Sequence, residues 1–244
     1  MPSPASAANW AWYDMRLAGS RWLWGLAGVA LCYFIAAYVI APDAWKRFVG
    51  VHPSLEDVPN VTYGKDRLPG DPINLALLGD EATLRAAMDK AGWTAADPLG
   101  LRDDTRIVLD TLARKAYPSA PVSNLYLFGR VEDIAFEMPI GNDPSRRHHV
   151  RFWRSVDNGY VRWLGAATLD RSVGLAHTTG QVTHHIGADV DQERDHVLGS
   201  LGDAGQLLER WYVPDFHPQR TGRNAGGDLW RTDGRLGAGR LRAD

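Results

Sequence analysis

The longest apolar run of the chain lies near its N-terminus, where residues 22–42 carry no charged side chain. At roughly 1.5 Å per residue, a helix of this length spans about 30 Å, the thickness of the hydrocarbon core of a bilayer. Tryptophans flank the run at Trp22, Trp24 and Trp45, as in an interfacial aromatic belt. The run predicts a transmembrane anchor; a cleaved signal peptide and a buried soluble helix are the alternatives.

Beyond the anchor, apolar positions follow first a helical period and then a strand period. Helices are predicted at about residues 80–91, 103–117 and 189–201, with Asp80 and Asp189 as N-caps. Alternating or continuous apolar runs predict strands at residues 73–78, 122–128, 131–138, 148–153, 160–169 and 171–177. Strands joined by short turns, with helices packed on them, predict an α+β domain with a mixed, mostly antiparallel sheet.

Composition divides the rest of the chain into segments. Residues 1–21 form an N-terminal tail, and residues 43–70, rich in Pro, Asp and Gly, form a predicted linker. The globular domain is expected at residues 71–217. Residues 218–244 are rich in Gly and Arg and have few apolar side chains, which predicts a disordered tail.

Charge and motifs exclude several classes of function. Lys and Arg number 27 against 29 Asp and Glu, so the chain lacks the basic excess of nucleic-acid-binding proteins, and no nucleic-acid partner is expected. A single cysteine, Cys32, excludes an intrachain disulfide and a cysteine metal site. Neither a glycine-rich phosphate loop nor a nucleophile elbow is present.

The first candidate site is an adjacent pair of histidines in a predicted strand. Strand alternation places His148 on an apolar face that is expected to meet the core. Arg147, His149 and Arg151 share the opposite face, which is predicted to be a cationic surface able to hold a phosphate or carboxylate.

The second pair precedes an acidic helix. His184 shares a face with apolar neighbours, and His185 lies on the other face. Glu193 and Arg194 stand at the edge of the apolar stripe of the helix, where they could pair with the inward histidines, His148 and His184.

Three interpretations of the two pairs remain open. The first is a structural network in which Glu193 and Arg194 hydrogen-bond the inward histidines. The second is a divalent metal site, with His148, His149, His184 and His185 as candidate ligands beside Asp or Glu. The third is an anion site with histidine as acid or base. Its candidate anion-binding residues are Arg147, Arg151 and Arg194, and the candidate catalytic residues are His149, His185, Asp191 and Glu193.

Several ordered motifs resemble the LssY C-terminal domain family. They are GDPINL at 70–75, AGW at 91–93, APVS at 120–123, LYLFGR at 125–130, RHHVRFW at 147–153, THHI at 183–186 and the acidic run DVDQERD at 189–195. The resemblance implies a bacterial protein whose domain is attached to membrane modules in longer members, with a suggested link to secretion. It supplies no catalytic residues. The lipid-phosphatase signature found in longer members fails here, because Phe152 and Val156 stand where its His and Asp would be.

The expected function is that of an accessory or binding module anchored in the bacterial inner membrane, linked to envelope or secretion processes. Its expected partners are the lipid bilayer, through residues 22–42, and other membrane or envelope proteins. Because Arg16 and Arg21 balance Lys46 and Arg47, charge does not decide the orientation, and a periplasmic domain follows from the short N-terminal tail. The alternative is a membrane-tethered hydrolase acting on a phosphorylated or lipid-linked substrate.

Two arrangements would distinguish these functions. An open pocket shared by His149, Arg151, His185 and Asp191 would favour the hydrolase. Burial of all four paired histidines in a hydrogen-bonded network would favour the module.

Overall fold

The computed structural model describes residues 22, 24–51, 55, 58–65, 67–96, 124–141, 146–157, 159–178, 180 and 182–243. The chain divides into two compact units, Met1–Ser54 and Leu55–Asp244. The helix predicted at residues 103–117 and the first residues of the strand predicted at 122–128 lie outside the described residues.

The described part of the first unit is helical. Trp24–Trp45 is long and apolar enough to cross a membrane, with a mean hydropathy of 1.9. The helix contains a π-helical turn at Ala36–Ile40 and continues as helix α1, Ala41–Val51. Apolar side chains such as Val29 and Leu31 are exposed along it. The predicted apolar helix is therefore present, with the surface expected of a segment that faces lipid.

The second unit contains fourteen strands and two helices within its described residues. The strands are β1 (Val61–Tyr63), β2 (Pro69–Pro72), β3 (Leu75–Leu78), β4 (Thr94–Ala95), β5 (Tyr126–Leu127), β6 (Arg130–Val131), β7 (Ile134–Pro139), β8 (Arg147–Asp157), β9 (Tyr160–Leu175), β10 (Val182–Ile186), β11 (Leu207–Val213), β12 (Thr221–Arg223), β13 (Leu229–Arg231) and β14 (Leu236–Leu241). The helices are α2 (Glu81–Lys90) and α3 (Val190–Asp203).

Most of the strands form one large sheet in the order β11-β14-β3-β9-β8-β7-β4, with β10 paired to the far end of β9. A small sheet has the order β2-β1-β5-β6, and β12 pairs with β13. All neighbours are antiparallel except β14 and β3, which run parallel. The fold class is therefore α+β with a mixed, mostly antiparallel sheet, as predicted.

Both faces of the large sheet are buried. Leu75, Leu77 and Phe152 point to a core that includes α2 and α3. Ile73, Ala76 and other residues point to a second core on the opposite face, which also takes in Leu125 and Leu127 from around β5. A second layer thus covers the face that carries the arginines of β8.

The helices begin where the sequence predicts. Asp80 caps α2, because the Thr83 backbone N–H donates to its Oδ1 at 2.8 Å. Asp189 precedes α3 but makes no side-chain cap, which corrects the prediction for that residue. Its carboxylate instead accepts a hydrogen bond from Arg231 Nη2 at 3.2 Å.

Strand β9 is continuous, whereas the sequence predicted a break at Asp170. A charged residue inside an apolar strand suggests a turn, but Asp170 is buried and paired with Arg147 on the neighbouring strand β8. Because Arg147 compensates the buried charge of Asp170, the strand can continue through this residue.

The prediction of a disordered tail is wrong. Strands β12, β13 and β14 all lie in residues 218–244, and β14 pairs with β3 on one side and β11 on the other. The glycines that suggested disorder allow close packing: a Cβ at Gly237 would lie 2.7 Å from Leu198 Cδ1. Strands β1 and β2 likewise lie in the segment expected to be a linker.

The Asn74 side chain fixes α3 to the sheet. Its Nδ2 donates to the carbonyl oxygens of Ala167 in β9 and Val190 at the start of α3, each at 2.9 Å. Its Oδ1 accepts from the Ala167 N–H at 2.9 Å. One buried amide therefore sets the position of the acidic helix that follows the second histidine pair.

Candidate functional site

The arginine face of β8 lies in the interior of the domain. Arg147, His149 and Arg151 are all at most 5 % exposed. The open cationic surface predicted from strand alternation is therefore wrong: alternation placed these residues on one face correctly, but the second layer covers that face.

Carboxylates compensate both buried arginines. Arg147 donates from Nη1 to Glu137 Oε2 at 2.7 Å and from Nε to Asp170 Oδ2 at 3.1 Å. Arg151 Nη1 donates to Asp71 Oδ2 at 3.3 Å. Glu132 Oε1 also lies 3.5 Å from Arg151 Nε. With two carboxylates around each guanidinium, the pair of arginines is not the anion site that the sequence suggested.

Burial changes the protonation of the groups around these arginines. It lowers the pKa of His149 well below its usual range, and the charges of Arg151 and Arg147 lower it further. Burial and the same two charges lower the pKa of His184 to about 4. Burial also raises the pKa of Asp170 to about 6, against the opposing charge of Arg147. Near neutral pH both histidines are therefore neutral, and Asp170 is close to its titration point.

A cavity of about 260 Å³ opens beside this cluster, between the large sheet, the small sheet and the segment before β13. Its charged and polar lining includes Lys65, Asp71, Asn124, Arg151, Thr168, Asp170, Thr183, His184 and Asn224. Leu68, Leu125, Ala176 and Ile186 supply apolar parts of the wall. The cavity is smaller than a typical drug-sized pocket of roughly 300–1,000 Å³.

His184 lines the cavity, and one of its ring nitrogens is buried without a partner among the described residues. Its Nε2 lies 3.5 Å from Arg147 Nη2, whereas its Nδ1 has no hydrogen-bond partner in that part of the chain. Since a guanidinium can only donate, Nε2 is the accepting nitrogen and Nδ1 carries the proton. A buried N–H without an acceptor costs about 1–3 kcal/mol, and this atom is not accessible to a water-sized molecule in the cavity.

His148 lies on the opposite face of the sheet, as predicted. Its Nδ1 is 2.7 Å from Glu193 Oε2 on α3. Its ring stacks on His196, with centroids 3.8 Å apart, and Trp93 lies against both rings. The expected pairing of Glu193 with an inward histidine is present, and it belongs to the helix-facing core, away from the cavity.

Arg194 does not pair with a histidine. Its buried guanidinium contacts Asp191, Asp195 and Asp233 at 2.8–3.0 Å. It also stacks over Tyr212. These contacts lower the pKa values of Asp195 and Asp233. Three carboxylates leave no place for an external anion, so Arg194 is a structural residue that joins α3 to the segment before β14.

The Asp191 carboxylate also makes structural hydrogen bonds. Its Oδ1 accepts from Thr232 Oγ1 at 2.7 Å, and its Oδ2 accepts from the backbone N–H of Asp233. The convergence of His149, Arg151, His185 and Asp191 that would favour a hydrolase is absent from this cavity, since only Arg151 of the four lines it.

The two histidines of the second pair point to opposite sides of strand β10. His184 faces the cavity, whereas His185 Nδ1 lies 2.8 Å from Asp228 Oδ1. His177 Nε2 approaches the same oxygen at 4.0 Å. In the part of the chain that the structure describes, His177, His185 and Asp228 are the one set of three or more potential ligands that come together. The four paired histidines therefore do not form a common metal site.

A comparison with protein families matches residues 55–236 to a family described as LssY C-terminus, over more than half of the chain. The chain belongs to the LssY C-terminus family. Comparison with curated proteins and with solved structures gives no match.

The LssY C-terminus match includes every residue that lines the cavity, from Gly64 to Gly226. It also includes the first part of the segment that the sequence suggested was a disordered tail. The described lining of the cavity thus lies wholly within the matched region.

Of the nine polar lining residues named above, sequence reasoning singled out only Arg151 and His184. It missed the other seven as site residues: Lys65, Asp71, Asn124, Thr168, Asp170, Thr183 and Asn224. Asp170 could have been found, because a carboxylate within a long apolar strand needs a buried partner. Asp71 lies in the GDPINL motif, but nothing in the sequence placed it near Arg151. Asn224, whose Nδ2 donates to Asp71 Oδ1 at 3.1 Å, lay in the supposed tail.

Proposed function

We propose that this LssY C-terminus protein is a membrane-anchored binding module whose cavity receives a small, uncharged, hydroxyl-rich ligand such as a sugar. The observation that carries the proposal is a cavity lined by both hydrogen-bond donors and acceptors, with His184 in its wall.

The charge balance of the cavity favours a neutral ligand. Asp71 and Asp170 line the wall beside Arg151, and the nearby Arg147 is bonded to Asp170 and Glu137. A phosphate would have to compete with these carboxylates for the guanidinium groups and would meet their repulsion. A neutral molecule would not compete with the carboxylates for the guanidinium groups and would not be repelled by them.

Hydroxyl groups match the polar lining. Each hydroxyl donates one hydrogen bond and accepts others, so it can satisfy a carboxylate and an N–H at once. The Asp170 carboxylate and the Asn224 amide oxygen accept, whereas the Lys65 ammonium and the Thr168 and Thr183 hydroxyls donate. A ring with several hydroxyls is also of a size that suits a cavity of about 260 Å³.

The setting that we propose is the bacterial inner membrane. The apolar helix would anchor the chain, with the domain in the periplasm, where sugar-bearing envelope components would be within reach. The module would assist an envelope or secretion complex together with other membrane or envelope proteins.

The test is binding of hexoses to the full chain in a detergent without a sugar headgroup, measured by saturation-transfer NMR. Glucose, galactose, N-acetylglucosamine and inorganic phosphate are the probes. We expect saturable binding of at least one sugar, weakened roughly tenfold or more in His184→Ala by loss of the imidazole from the cavity wall. His196→Ala, on the opposite face of the sheet, is the matched control and should bind normally. Binding of phosphate alone, or equal sugar binding by both variants, would refute the proposal.

A hydrolase acting on a phosphorylated or lipid-linked substrate is a second candidate. Asp71 and Asp170 both line the cavity, and burial raises the pKa of each. The pKa of Asp170, about 6, places a carboxyl group near its titration point at the cavity wall. Release of nitrophenol from nitrophenyl phosphate or a nitrophenyl glycoside, abolished in Asp170→Asn, would establish it. No turnover of either substrate class by the full chain would exclude it.

A further inference from the structure

We infer that His177, His185 and Asp228 form a site for a divalent transition-metal ion. His185 lies in β10, His177 follows β9, and Asp228 precedes β13. One potential ligand atom of each lies within 4.8 Å of the others. The inference does not depend on the ligand of the cavity.

The distances suit a shared ion. His185 Nδ1 and His177 Nε2 lie 2.8 Å and 4.0 Å from Asp228 Oδ1. Ligand atoms around a tetrahedral zinc ion with bonds of about 2.0–2.1 Å are roughly 3.4 Å apart. The two observed separations lie on either side of that value, so ion binding would move the exposed His177 side chain toward Asp228 and would open the His185–Asp228 pair by about 0.6 Å.

The ring of His185 is oriented by its packing. Its Nε2 faces Gly174, where an added Cβ would lie 2.7 Å from it. Nδ1 is therefore the atom turned toward Asp228. Gly227 leaves space for the other histidine, since a Cβ at this position would lie 2.8 Å from His177 Cβ. A larger residue at either position would displace an imidazole.

Asp228 is held in place by the backbone around it. Its Oδ2 accepts from the Ile186 N–H at 3.3 Å, which leaves Oδ1 facing the histidines. Its own N–H donates to Asn224 Oδ1 at 2.9 Å. The His177 N–H donates to the carbonyl of Gly226 at 2.8 Å, which ties the third ligand to the same turn. Such outer contacts orient the ligands of many metal sites.

The donor set indicates the class of ion. Two imidazole nitrogens and one carboxylate oxygen suit Zn²⁺ and similar first-row divalent ions, whereas Mg²⁺ and Ca²⁺ prefer oxygen ligands. The His177 side chain is 69 % exposed, so a fourth position would remain open to water. The alternative is a hydrogen-bonded His185–Asp228 pair with an exposed histidine beside it.

The experiment is titration of the full chain, purified with a tag free of histidine and treated with a chelator, with Zn²⁺ in a calorimeter. Co²⁺ is the spectroscopic probe, because visible bands of tetrahedral Co²⁺ report ligation directly. We expect one equivalent of Zn²⁺ to bind and the affinity to fall roughly 100-fold or more in His177→Ala, which loses one of three ligands. Because His177 is exposed, this variant should fold normally.

His196→Ala is the matched control and should bind Zn²⁺ like the wild type. Absence of saturable Zn²⁺ binding, or equal affinity in His177→Ala and His196→Ala, would overturn the inference. Sugar binding tested through His184 is measured without metal, so failure of either proposal is distinguishable from failure of the other.

Discussion

Burial keeps four histidines of the domain in their neutral form. The pKa values of His149, His184, His196 and His217 are all lowered by burial. An unfolded chain would take up protons at these positions as the pH falls through about 6.5, whereas the folded chain would not. Each histidine therefore stabilises the fold above that pH and loses its contribution on acidification.

His184 and Asp170 provide a pH test with opposite signs. Between pH 6.5 and about 4, His184 makes the free energy of unfolding fall as the solution is acidified, by roughly 3 kcal/mol over the full range. The pKa of Asp170 is raised to about 6, so its contribution is present at low pH and lost as the pH rises through 6.

Denaturant unfolding across this pH range should separate the two groups. His184→Gln should lessen the loss of stability on acidification, and Asp170→Asn should increase it, whatever each does to absolute stability. Parallel pH profiles for the wild type and both variants would show that folding does not shift the pKa of either group in this way.

At the scale of elements, strand β14 links the edge strand β11 to the rest of the large sheet. It joins β3 to β11 by parallel pairing on one side and antiparallel pairing on the other. A chain ending after Arg235 would leave β3 with an open edge and uncover the core on both faces.

We expect truncation after Arg235 to abolish folding of the domain, measured by limited proteolysis and by near-ultraviolet circular dichroism of its tryptophans. Truncation after Arg242 keeps the whole strand and is the control. A protease-resistant domain in the shorter chain would mean that residues 236–241 are dispensable, as expected of a disordered tail.

The sequence predicted elements better than it predicted their environment. Helix α2 and its Asp80 cap, the start of α3 and the His148–Glu193 pair all follow from spacing within a segment, because periodicity reports which side chains share a face. The burial of Arg147 and Arg151 does not follow from spacing within a segment, since the layer that covers them comes from residues distant in the chain. The cavity was missed for the same reason.

At the scale of the whole molecule, the proposed membrane anchor would decide on which side of a bilayer the domain lies. Lys and Arg residues balance across the helix, so charge does not fix that side, and the proposal places the domain outside the cytoplasm. A reporter fused after Asp244 tests this directly. We expect alkaline phosphatase fused there to be active and green fluorescent protein to be dark.

The control for the fusions is a chain that begins at Leu55 and lacks the helix, which should retain both reporters in the cytoplasm and reverse the two signals. A fluorescent full-length fusion would place the domain on the cytoplasmic side. That result would remove periplasmic envelope sugars as ligands.

The position of β14 also imposes an order of events during synthesis. The apolar helix precedes the domain in the chain, whereas the strand that joins β3 to the edge strand β11 emerges from the ribosome after residues 55–235 have been made. Until then β3 lacks its parallel neighbour, and such long-range pairing is slow to form. The nascent domain would therefore stay incomplete until β14 has been made, and folding of the large sheet would be one of the last steps in forming the domain.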